Sequence, residues 1–198
     1  MLDSALGGNP AARHLQSIAA RALAGIGMTP DAATIAGVIT GVIAGVAFGA
    51  GATALGIAML ALSAAMDAVD GTIARERSTP TAHGGLLDLC SDRVVEVAVI
   101  VGIAWRRPEI HFAAFVLVAS WYVNITVFLA VGAALEHKGP KLIEYPPGIL
   151  ERTEALIFFV ILALARPIGP ILCWAFTALE IATGAQRFIF GWRTIGRS

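Results

Sequence analysis

Two stretches of this chain, residues 32–50 and 112–135, carry no charged side chain. Each is about the length that crosses a bilayer as a helix. A segment placed in lipid must satisfy its backbone N–H and C=O groups internally, so each is expected to be helical. Composition agrees. Hydrophobic residues make up 57% of the 198 and charged residues only 14%, against about 25% charged in a soluble domain. An ordinary soluble globule and a disordered chain are both excluded. Basic and acidic residues balance at 14 each, which disfavours a nucleic-acid binder. Two cysteines cannot build a disulfide framework. Cys90 and Cys173 lie in apolar runs, where a small buried thiol is the default expectation.

The expected fold is all-α: a polytopic membrane bundle of six transmembrane helices, preceded by an N-terminal amphipathic helix. The chain reads as one domain over residues 1–198, with 1–28 juxtamembrane and 29–198 transmembrane. Asp3, Asn9, Arg13 and His14 interrupt any signal-peptide core. Over residues 10–28, Leu15, Ile18, Ala22 and Ile26 recur at helical spacing, with Arg13, Ser17 and Arg21 on another face. Such a helix lies in the membrane interface or packs on a neighbour. Thr29-Pro30-Asp31 is a helix start. Gly37, Gly41, Gly45 and Gly49 then repeat every fourth residue. They form either a dimer seam or a close contact within the chain.

Further apolar runs start near residues 52, 84, 149 and 171. Arg13, Arg21, Arg75, Arg77, Lys138, Lys141, Arg152, Arg187, Arg193 and Arg197 fall on one side of this layout, and Arg106, Arg107 and Arg166 on the other. The positive-inside rule makes the first side, with both termini, cytoplasmic. A prokaryotic inner membrane is the simplest setting.

Charged residues within membrane helices are costly and usually functional. Asp67 and Asp70 are three apart, Asp88 and Asp92 four apart, so each pair shares a helix face. A polar loop over residues 76–83 would fold the two helices into a hairpin and bring the pairs together. Four clustered carboxylates repel unless cations balance them. Oxygen-only ligands suit Mg²⁺ or Mn²⁺, and the lack of Cys and His argues against zinc. Two such ions can stabilise both the attacking and the leaving oxygen at a phosphate. Gly71 and Gly84 permit close approach of a ligand to the backbone. Ala74 keeps the same face narrow, and the Arg75 guanidinium suits phosphate.

The run Asp67-x-x-Asp70-Gly71-x-x-Ala74-Arg75, then eight residues, then Gly84-x-x-x-Asp88-x-x-x-Asp92 resembles the signature of the CDP-alcohol phosphotransferases. Composition alone gives about 10⁻¹⁰ per starting point for all eight fixed positions. The resemblance implies six transmembrane helices, commonly in a homodimer. It implies a CDP-linked donor, usually CDP-diacylglycerol, an alcohol acceptor and release of CMP. Asp67, Asp70 and Asp88 would bind the metals. Asp92 would complete the cluster and act as general base on the acceptor hydroxyl. Gly71, Ala74 and Arg75 would contact the nucleotide and its diphosphate. Where family members often carry Asn after the Pro of the first membrane helix, this chain has Asp31, with Thr34 nearby.

Lys138, Lys141 and Arg152 are the candidate cations for a phosphorylated acceptor, inositol phosphate or glycerol 3-phosphate, with Arg187 a lesser candidate. Positive-inside bias alone would also place cations there. The segment at residues 147–154 looks like the Glu-Arg stretch of phosphatidylinositol-phosphate and phosphatidylglycerophosphate synthases. Glu96 either supports the carboxylate cluster or neutralises Arg93. Ser120, Asn124 and Glu180 are expected to make helix–helix contacts. The competing function is a divalent-cation transporter, since intramembrane acids often mark ion pathways. That reading leaves Gly71, Arg75 and Gly84 without a use.

Overall fold

The chain is described from a computed structural model covering residues 14, 17–18, 20–22, 25, 27–76, 81–134, 150 and 152–195, with backbone alone at 74–76. Its long helices are α1 (Pro30–Gly49), α2 (Thr53–Glu76), α3 (Ala82–Trp105), α4 (His111–Ala134), α5 (Arg152–Leu164) and α6 (Gly169–Ile195). Single 3₁₀ turns precede α4 and α6. No strand occurs among the described residues. Among the described residues, four segments are long and apolar enough to cross a membrane: Pro30–Gly49, Thr53–Ile73, Pro108–Ala134 and Arg166–Ile195. α3 is long enough, but Asp88, Asp92, Arg93 and Glu96 interrupt its apolar character. The 13 residues of α5 rise only about 20 Å. Ile35, Ile39, Ile43 and Val46 line an exposed face of α1, and Phe112, Phe115 and Tyr122 one of α4. Apolar faces of this extent belong in lipid, and the chain is an integral membrane protein.

The described residues up to Arg106 form one compact unit, and those from Arg107 onward a second. In the first, α1 packs on both α2 and α3. Thr29 caps α1 by accepting a hydrogen bond from the Ala32 N–H at 3.2 Å, with Pro30 in the first turn. At its other end Gly51 takes φ +83°. Its N–H donates to Phe48 O, and the Ala52 N–H donates to Ala47 O. This reversal needs a left-handed residue, which glycine supplies without steric cost. The Arg106 guanidinium donates to Ala50 O at the same turn, at 3.2 Å.

The α1 glycines pack within the chain. Gly37 faces Ser63 and Met66 of α2, and the Ser63 hydroxyl donates to Gly37 O at 2.7 Å. Gly41 faces Val95, and Gly45 lies against the backbone of Ala98. Gly102 of α3 in turn lies against Gly45. Of the amphipathic stretch at residues 10–28, residues 14, 17–18, 20–22, 25 and 27–28 are described; those up to 25 are helical, and Gly27 and Met28 are not. Ala20 is buried with Val69 and Ile73 of α2, while Ile18 is half exposed. The described part thus packs on a neighbour; the rest of that expectation lies outside the described residues.

In the second unit α6 packs on α4 and on α5. Phe158 stacks on Phe176 with ring centroids 4.1 Å apart, and Trp121 meets Phe159 edge-on. Arg107 is 4% exposed. It donates to Leu162 O at 2.5 Å, Arg166 O at 2.7 Å and Glu109 Oε1 at 2.8 Å. Sequence placed it only as a loop cation; the structure makes it a clamp on the turn between α5 and α6. Arg107→Ala is expected to cost on the order of 3 kcal/mol, since two carbonyls lose a charged donor. Thermal unfolding in detergent checks this, with Arg107→Lys recovering only part because it lacks the planar fork.

Three expectations change. Cys90 is exposed rather than buried; only Cys173 is buried. The Ser120 hydroxyl donates to Leu117 O on its own helix rather than across helices. α6 runs to Ile195, about one turn beyond the expected end near Phe190.

Candidate active site

The motif lies at one end of the first unit. α2 runs unbroken through Asp67, Asp70 and Gly71, and α3 begins just before Gly84. Thr81 caps α3 by accepting from the Gly84 N–H at 3.0 Å. A Cβ added at Gly84 would sit 3.7 Å from Asp31 Oδ1, so the starts of α1 and α3 are neighbours. Helix N-termini carry partial positive charge and favour anions.

Asp67, Asp70 and Asp88 each offer a carboxylate oxygen, and the three lie within 4.8 Å of one another. That spread is close to twice an Mg–O distance of about 2.1 Å, so one ion can reach all three with small side-chain adjustments. The donor set is entirely hard oxygen, which suits Mg²⁺ or Mn²⁺. These residues therefore can hold a divalent cation. Asp70 is buried, Asp67 half-buried and Asp88 exposed. The Thr34 hydroxyl donates to Asp70 Oδ2 at 2.6 Å. Sequence set Thr34 with Gly71, Ala74, Arg75 and Gly84 among the candidates for binding CDP and its phosphates; the structure ties its hydroxyl to Asp70, the most buried of the three carboxylates.

Asp92 stands one helical turn beyond Asp88 and is half-buried. Gly71 is half-buried beside Asp70. Ala74 and Arg75 continue α2, but their side chains lie outside the description. Glu96 pairs with Arg93 at 2.8 Å. Lys138 and Lys141 lie outside the described residues. Arg152 is the first residue of α5 and is half-buried.

Within the second unit, Asn124 and Glu180 meet as expected: Asn124 Nδ2 donates to Glu180 Oε2 at 2.5 Å. Arg187 Nη1 donates to Asn124 Oδ1 at 2.9 Å, a link the sequence did not suggest. Its residues lie 63 positions apart.

Comparison with known proteins fixes the family. The family model described as CDP-alcohol phosphatidyltransferase matches residues 27–186, most of the chain. The chain belongs to the CDP-alcohol phosphatidyltransferase family. It is 32% identical over 195 residues to a phosphatidylinositol phosphate synthase of Mycobacterium marinum, covering 89% of this chain and 79% of that one. It is 30% identical over 178 residues to an archaetidylinositol phosphate synthase of Methanothermobacter thermautotrophicus, covering 86% of each. Its fold is similar to the crystal structure of Mycobacterium tuberculosis phosphatidylinositol phosphate synthase with CDP-DAG bound. The TM-score is 0.77 at 25% identity, over 90% of this chain and 94% of that one.

As a CDP-alcohol phosphatidyltransferase, the protein is an enzyme that moves a phosphatidyl group from a CDP-linked lipid to an alcohol. Nothing supports the transporter alternative.

Proposed function

We propose that this enzyme transfers the phosphatidyl group of CDP-diacylglycerol, or a similar CDP-lipid, to a hydroxyl of a phosphorylated polyol, releasing CMP. Inositol phosphate stands ahead of glycerol 3-phosphate as acceptor, because the two named relatives are a phosphatidylinositol phosphate synthase and an archaetidylinositol phosphate synthase. The observation that carries the reaction is the convergence of Asp67, Asp70 and Asp88 next to two helix starts. The family match crosses the boundary between the compact units, which supports reading 1–198 as one catalytic domain. Six spans, cytoplasmic termini and a prokaryotic inner membrane complete the reading. A homodimer belongs to it too, through a surface other than the α1 glycines.

In this reading Gly71, Ala74, Arg75 and Gly84 hold the cytidine diphosphate portion, with Thr34 keeping Asp70 in place. Two bound divalent ions would neutralise diphosphate charge and make phosphorus easier to attack. Asp92 takes the proton from the acceptor hydroxyl as its oxygen bonds to the phosphatidyl phosphorus. The bond from that phosphorus to the CMP oxygen breaks, and CMP leaves. Lys138, Lys141, Arg152 and Arg187 meet the acceptor's phosphate.

The test is CMP release by purified protein in lipid micelles with CDP-diacylglycerol, Mg²⁺ and one alcohol at a time. Release should require inositol phosphate, and Asp92→Asn should lower it by about 10²-fold or more. Equal release with glycerol 3-phosphate would move the acceptor assignment. No release with any alcohol, from folded protein, would overturn the reading.

A further inference from the structure

α6 presents Glu180, Gly184 and Arg187 along one face, and α4 presents Asn124 and Phe128. Glu180 and Asn124 are buried, at 8% and 7% exposure. Buried polar groups inside membrane helices are expensive and are retained for a purpose. The Asn124 amide bridges the pair: its Nδ2 donates to Glu180 Oε2 and its Oδ1 accepts from Arg187 Nη1. The Arg187 guanidinium also lies over the Phe128 ring, 5.2 Å from the centroid. Gly184 faces Asn124, and a Cβ there would make only ordinary contact.

The chemistry of this relay has a direction. An ionised Glu can only accept, so it draws the amide NH₂ toward itself. The amide oxygen is then turned to Arg187. One edge of the guanidinium is fixed by Asn124 and its face by Phe128.

We infer that Asn124 and Glu180 are positioning residues: they orient the Arg187 guanidinium to receive the phosphate of the polar acceptor. The inference rests on the reading of Arg187 as an acceptor cation given above. It concerns binding of the second substrate, so it predicts a split in kinetic constants rather than a general loss.

The experiment is steady-state CMP release with CDP-diacylglycerol, Mg²⁺ and inositol phosphate, each substrate varied in turn. Asn124→Ala and Glu180→Leu should raise KM for inositol phosphate about tenfold, the scale of one hydrogen bond to a charged group. KM for CDP-diacylglycerol and kcat should stay within about twofold. Glu180→Gln can still accept from Asn124 and should recover most of the loss. In an Arg187→Ala background, Asn124→Ala should add nothing, because it acts through the missing guanidinium. Should Asn124→Ala fail to fold, Asn124→Ser keeps a polar group that cannot span both partners, and the same rise is expected. A rise with Arg187→Ala but none with the Asn124 and Glu180 variants overturns the positioning role. So does full additivity in the double variant. An unchanged acceptor KM in Arg187→Ala removes the Arg187 reading itself, and the inference with it. Absence of CMP release from the folded, unsubstituted enzyme is the separate failure of the proposed reaction.

Discussion

Asp70→Asn is expected to reduce Mg²⁺-dependent CMP release by on the order of a thousandfold, the scale of several kcal/mol of charge stabilisation at phosphorus. Asp70 is the buried member of the carboxylate group, and Thr34 holds one of its oxygens at 2.6 Å. The amide keeps the volume but loses the charge and turns one oxygen into a donor. A donor aimed at a divalent ion is the wrong partner. Thr34→Ala removes only the fixing hydrogen bond, so it should cost about tenfold or less. It should also weaken the apparent affinity for Mg²⁺. Isothermal titration with Mn²⁺ beside the activity assay separates the two variants: Asp70→Asn should lose most binding heat, Thr34→Ala only part. Metal-dependent activity within tenfold of the parent in Asp70→Asn would remove these three carboxylates from the reaction.

Much of this site was legible in the sequence because its parts are local. Asp67, Asp70, Asp88 and Asp92 are charges in apolar helices, and spacings of three and four assign them to faces without knowledge of the fold. Thr29 and Pro30 mark a helix start by chemistry alone, and the cap forms as expected. The burial pattern was less legible, for a physical reason. In a water-soluble protein an apolar residue reports the core. In lipid the outer surface is apolar too, so Ile35, Ile39 and Ile43 face outward while Ala33, Gly37 and Gly41 are buried. Cys90 was misplaced on that account: an apolar neighbourhood on α3 did not mean protein around it. Arg107 was missed for the opposite reason. Charge statistics assign an arginine to a loop, and only the fold shows two backbone carbonyls converging on its guanidinium. The Asn124–Arg187 link joins residues on different helices, and no local pattern announces it.

The glycine ladder makes the same point and yields the sharpest stability contrast. Four glycines at every fourth position say that one face of α1 is narrow. They do not say what it meets. A Cβ on Gly49 would lie 3.7 Å from the nearest atom of α3, an ordinary contact. Gly49→Ala is therefore expected to be neutral or stabilising by up to about 1 kcal/mol, the helix-propensity gain. A Cβ on Gly45 would overlap the Ala98 carbonyl, and one on Gly102 the Gly45 carbonyl. Both obstacles are backbone, so no rotamer change relieves them and the helices must separate. Gly45→Ala and Gly102→Ala should each cost at least about 2 kcal/mol, in the upper range for overpacking a tight contact. Gly102→Leu should give no folded enzyme. Activity should fall further than stability, because α1 carries Thr34 while α3 carries Asp88. A displacement of about 1 Å between a reacting group and its partners can cost about 10²-fold. Melting temperatures and CMP release, measured in the same detergent for alanine at 45, 49 and 102, decide the matter. Equal melting temperatures for Gly45→Ala and Gly49→Ala would mean that α1 and α3 do not meet backbone to backbone. A large drop at 45 and 102 with none at 49 would place the contact that holds the carboxylate-bearing end of α3 in register with α1.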